Sequence, residues 1–147
     1  MKSLHAARDR QDIARRIRAL GQNAPAKWGK FSAPQMVAHL TESMRMATGD
    51  LAVRQKKSIM RFPPLKQFII YVMPMPKSVR TAPELLARAP LLFESEVEDL
   101  LRMMERFAAR DPRASWPPHP LFGAMSGGEW GALAHKHIDH HLRQFGA

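Results

Sequence analysis

The sequence contains no cysteine. That excludes a disulfide framework and a thiolate metal site, and leaves nitrogen and oxygen ligands for any bound metal. Long apolar runs are missing too. The most apolar stretch, residues 68–73, runs directly into Pro74 and Pro76. It is far shorter than the ~20 apolar residues that span a bilayer. The first turns carry Arg8, Arg10, Arg15, Arg16 and Arg18 without the apolar core of a signal peptide. A cytoplasmic protein with no membrane association is therefore expected.

Acidic residues are scarce as well, 13 against 23 basic ones, for a net charge of +10. Such a surplus suits a polyanionic partner. The arginines are scattered, however, and no basic patch is interleaved with stacking aromatics. Nucleic-acid binding is accordingly the weakest of the functional readings. Internal repeats and sustained period-2 alternation are also absent, which argues against a sheet.

What is present is a helical pattern. The chain has 147 residues, 45% of them hydrophobic, enough for one domain over 1–147 with a single core. A first helix is expected over residues 3–20, stopped by Gly21. A connector follows, in which Trp28 is an anchor packed on the bundle. The second helix opens with Ser32 as N-cap and Gln35 three residues later, a capping box in which each side chain satisfies an orphaned backbone N–H. It runs to Thr48 and closes at Gly49, with Met36, Val37, Leu40, Met44 and Ala47 on its apolar face.

Residues 50–90 contain six prolines and read as a long crossover holding one short helix, Leu65 to Met73. A third long helix is expected from Leu92 to Ala109. After a proline-rich loop, Ser126 and Glu129 form a second capping box, and the last helix continues to Phe145. The fold class is all-α, with four main helices and a long crossover between the second and third.

On a wheel of 100° per residue, Trp130, Ala134, Ile138, His141 and Phe145 share one face of the last helix. His137 lies within that face, while Lys136, Asp139 and Arg143 point away. Burying an unpartnered polar group costs about 1–3 kcal/mol. Two imidazoles on a core-facing stripe therefore need partners. They are one helical turn apart and can reach a common point, where a divalent transition metal (Zn, Ni or Fe) would serve.

A third ligand is required. His39, on the flank of the second helix's apolar face, is the best candidate; Glu42, on a more exposed side, is the next. His135 and His140 lie towards the edges of the face, half-exposed or supporting the site, and His140 can hold a water or a carboxylate. His119, before Pro120, is a fourth ligand, a lid residue or, preferably, a turn residue. Three histidines leave a coordination position open, the pattern of a catalytic rather than a structural metal.

These residues resemble the DinB/YfiT-like superfamily of metalloenzymes, which pairs one histidine on the second helix with a His-x-x-x-His motif, often followed by Gln, on a late helix. The likeness is closer to a branch known only as a domain of unknown function. It is carried by Trp28-Gly29, Gln35 to His39, His119 to Gly123, Glu129 to Gly131 and Lys136 to Gly146, across roughly residues 25–146. The resemblance implies an up-down-down-up four-helix bundle, His39, His137 and His141 as metal ligands, and dimerisation through helix faces. It also implies a small-molecule substrate, possibly a thiol, since some relatives activate one for transfer. The sequence departs from many members in having Arg143 where they have glycine, but keeps Gln144.

Three functions compete: a metal-dependent hydrolase or thiol transferase, with Gln144, His140 or His119 orienting substrate; a non-catalytic metal-binding or stress-response module; and a basic nucleic-acid binder.

Overall fold

The computed structural model describes residues 1–77 and 80–147. Five α-helices follow in order: α1 (Ala7–Arg18), α2 (Ala33–Thr48), α3 (Leu65–Tyr71), α4 (Phe93–Ala109) and α5 (Gly127–Gln144). Two 3₁₀ turns, Ile59–Arg61 and Pro83–Leu85, punctuate the crossover. No strand occurs among the described residues; an isolated bridge joins His119 to Gly123. No helix among them is long and apolar enough to cross a membrane.

Both capping boxes form. The Gln35 N–H donates to Ser32 Oγ at 3.3 Å, and the Ser32 N–H returns the bond to Gln35 Oε1 at 2.9 Å. Ser126 and Glu129 repeat the pattern at the start of α5. Gly49 ends α2 in the left-handed conformation, where a side chain would be strained.

The first helix is shorter than expected, at residues 7–18 rather than 3–20. Its N-terminal approach is instead an anchor on α5. The Leu4 N–H donates to the Gly131 carbonyl at 3.1 Å, and the Leu4 side chain is fully buried. At the other end the Leu20 N–H turns back to the Ile17 carbonyl, and Leu20 is itself buried, so Gly21 is not the stop. Leu92 is the N-cap of α4 and is exposed, not part of its apolar face. α3 ends at Tyr71, because the Val72 and Met73 amides both turn to the Phe68 carbonyl.

α2 packs most extensively on α4, while α1 lies against α5 and α4, and α2 also meets α5. Ile13, Leu40, Met104, Phe107, Ile138 and Leu142 are fully buried where these helices meet. Each such side chain stabilises the fold by about 1.5–3 kcal/mol relative to exposure.

α5 does not divide into a core face and a wet face as the wheel suggests. It is covered on nearly every side, and His135, expected at a half-exposed edge, is buried. Lys136, expected to point into water, donates to the Ile69 and Met73 carbonyls at 3.0 and 2.8 Å. Those carbonyls lie at the C-terminal end of α3, which favours a cation. Lys66 similarly reaches Glu129 and the Ala124 carbonyl. These ties hold the crossover against α5.

Candidate metal centre

His39 enters from α2, and His137 and His141 enter from α5 one turn apart. Their ring centroids form a near-equilateral triangle with sides of 5.0, 5.0 and 4.8 Å. His137 Nε2 lies 3.1 Å from both His39 Nε2 and His141 Nε2. Among the described residues, these three histidines form the group able to hold a metal ion, with ligand atoms all within 4.8 Å of one another. An ion with bonds of about 2.1 Å sets neighbouring ligand nitrogens roughly 3.0–3.4 Å apart, and the two spacings at His137 fit.

The protonation state fits as well. Burial, followed by repulsion from His141, lowers the His39 pKa to about 3. Burial lowers His141 to about 4, and desolvation with repulsion from the other histidines holds His137 well below 6.5. All three rings are therefore neutral near pH 7, the state that binds a metal.

Hydrogen bonds fix the orientation of His141. Its Nδ1–H donates to Gln144 Oε1 at 2.8 Å, which leaves Nε2 with a free lone pair facing His137. Gln144 is held in turn, its Nε2 donating to the Trp28 carbonyl at 2.7 Å. Gly29 makes this approach feasible. Its φ of 78° is left-handed, and a Cβ there would stand 2.5 Å from Gln144 Nε2. Phe31 stacks on His39 at 5.3 Å and touches His141 at 5.8 Å. The sequence reading did not single out Phe31. Its position directly ahead of Ser32, the N-cap of α2, and three places after Trp28 is the available signal.

The remaining candidates fall elsewhere. Glu42, expected on an exposed side, is buried and taken by Arg88 Nε at 2.9 Å and Arg45 at 3.2 Å. Arg88 also grips the fully buried Glu96, so this network neutralises Glu42 away from the histidines. His135 is buried apart from the three-histidine group; its burial lowers the pKa of the ring, opposed by Asp139 and Asp9. His140 packs edge-on against Trp28 and His141 and lines the cavity without joining the three-ligand group.

His119 is a turn residue. Its Nδ1 accepts from the Leu121 and Phe122 N–H groups at 3.1 and 3.3 Å. The loop closes because Gly123, at φ 66°, exchanges both backbone hydrogen bonds with His119. With Nδ1 an acceptor and burial lowering its pKa to about 4, the neutral ring carries its proton on Nε2.

The three histidines open on a cavity of about 830 Å³. Its walls come from α2, α5, the crossover and the His119 loop, with Trp28, Phe31, Met44, Phe122 and Trp130 among them. That volume lies in the range of small-molecule sites. Among the described residues no Asp or Glu lines it. The cavity therefore offers no carboxylate base, and the chain has no thiol.

A family model described as "Protein of unknown function (DUF1569)" matches residues 2–147. No curated protein and no solved structure matches the chain.

Proposed function

Because the chain belongs to the family of proteins of unknown function designated DUF1569, its chemistry has to be read from the site, and we propose a metal-dependent enzyme acting on a small molecule. The observation that carries this reading is the convergence of three neutral Nε2 atoms on one point beside a large cavity. His39, His137 and His141 are the ligands, and the metal is a divalent Zn, Ni or Fe ion. When bound, such an ion acts as a Lewis acid on a carbonyl, a thiol or a water in its open position.

The side chains around it narrow the reaction. No cysteine is present and no carboxylate lines the cavity among the described residues; the nucleophile in this reading is a metal-activated water or, following the DinB/YfiT-like resemblance, a substrate thiol, for hydrolysis or thiol transfer. His119 presents a neutral N–H donor, suited to a substrate oxygen, and His140 adds a second imidazole to the cavity wall, packed edge-on against Trp28. Gln144 sets the tautomer of His141.

The same reading carries the DinB/YfiT-like up-down-down-up bundle. The four longer helices, each packed on at least two others, support it. It also carries a cytoplasmic location and a homodimer, for which light scattering in solution is the test.

The primary experiment is elemental mass spectrometry on tag-free protein, wild type beside a His39→Ala, His137→Ala double variant. About one transition metal per chain, lost in the variant, is expected. Absence of metal after incubation with Zn, Ni and Fe would overturn the enzyme reading, and the histidines would then be packing groups.

A further inference from the structure

The cavity that holds the histidines has an uneven charge. Among the described residues Lys30, Lys56, Lys77, Arg80 and Lys136 line it, and no acidic residue does. At the chain's own ratio of 23 basic to 13 acidic residues, five cations would bring about three carboxylates. The imbalance continues along the chain, since no Asp or Glu occurs between Asp50 and Glu84. None of the five cations is ion-paired with an acid among the described residues.

Their placement is that of a rim. Lys30, Lys56, Lys77 and Arg80 are exposed at the edge, while Lys136 is half-buried beside α3. Lys77 is fixed there by its ammonium, which stands 4.7 Å over the Trp28 ring. Below the rim the wall is apolar and adaptable. Met44, Met46, Met60, Met73 and Met75 contribute flexible, polarisable side chains, which suit an apolar body of variable shape.

We propose that the cavity binds an amphipathic anion: an apolar body seated among the methionines and aromatics, with a carboxylate or phosphate held by the cationic rim. This rests on the proposed function for the reaction, but the rim selects its ligand with or without a metal. A cationic rim around low-dielectric walls concentrates anions and excludes cationic analogues.

The test uses decanoate, decyl phosphate, decan-1-ol and decyltrimethylammonium as probes of equal chain length. Binding is measured by calorimetry to the full chain, both chelator-treated and metal-loaded. Decanoate and decyl phosphate are expected to bind at least tenfold tighter than decanol in both forms, with the cationic probe weakest. A Lys77→Glu, Arg80→Glu variant is expected to erase that preference, weakening decanoate and decyl phosphate at least tenfold. Co-sedimentation with anionic phospholipid vesicles tells a lipid source from a free amphiphile, and binding by either source supports the shared chemistry.

Equal affinity for all four probes would overturn the proposal, as would a preference for anions that the double variant retains. Metal content, read separately, keeps the two ideas apart. Anion preference without metal would sink the enzyme and spare the rim; metal without anion preference would do the reverse.

Discussion

A lone histidine and a cluster of three sit towards opposite ends of α5, and they solve different problems. At its N-terminal end, His5 Nε2 bonds the Gly127 carbonyl at 3.1 Å, and the ring packs on Phe107 and Trp116 at 5.0 and 5.6 Å. At the other end, His39, His137 and His141 turn their Nε2 atoms towards one another beside a cavity. In both places burial lowers the pKa of the rings. The difference is what the nitrogens face. A ring committed to a backbone carbonyl and walled by aromatics is a packing element. Three ring nitrogens converging on one point, with an open side, form a ligand set. A low pKa alone does not separate the two.

The comparison breaks most sharply on metal content. His137→Ala is expected to reduce bound metal from about one ion per chain to background, whereas His5→Ala and His135→Ala keep it. Equal metal content in the three variants, by elemental mass spectrometry, would erase the distinction.

The next effect tests how the open cluster is held. Gln144→Ala removes the acceptor that fixes His141, and metal affinity should fall about 10–100-fold. Competition against a chelator of known affinity measures it. An affinity within twofold of wild type would reduce Gln144 to a packing residue.

Stability should show the opposite ranking. His5→Ala leaves a hole between Phe107 and Trp116 and is expected to cost about 2 kcal/mol in urea unfolding of metal-free protein. His141→Ala, facing the cavity, should cost less than half of that. A reversal of the two would mean that the site end carries the packing.

The smallest expected effect is on pH dependence. His39, His119 and His141 have folded pKa values of about 3, 4 and 4, below the unfolded value of 6.5. Between these limits the unfolded chain binds more protons. Their contribution is thus intact above about pH 6.5 and is lost progressively as pH falls towards 4. The urea midpoint of metal-free protein should drop across that window, and less so in His39→Gln. An unchanged midpoint would mean that these rings are more solvated than their burial implies.

Much of this was legible in the residues, but unevenly. Helix starts at Ser32 and Ser126 were readable because a capping box is a contact between residues three apart. The pairing of His137 with His141 was readable because one helical turn brings them together. Glu42 was misplaced because its burial is created by Arg88, 46 positions away. The first helix was read too long because Leu4 is held by Gly131, which nothing near Leu4 reveals. Lys136 looked like a solvated charge because the carbonyls that bind it belong to the crossover.

By itself, then, the sequence determined the helical class, the caps and the i, i+4 histidines, since each follows from backbone geometry repeating every 3.6 residues. Only the tertiary structure decided that His39 closes the triangle from 98 positions away. It also decided that Trp28 clamps Gln144, and that residues of the acid-free stretch 51–83 line the cavity. Those outcomes depend on how helices pack and which side chains win each other's hydrogen bonds. Local periodicity carries no record of either.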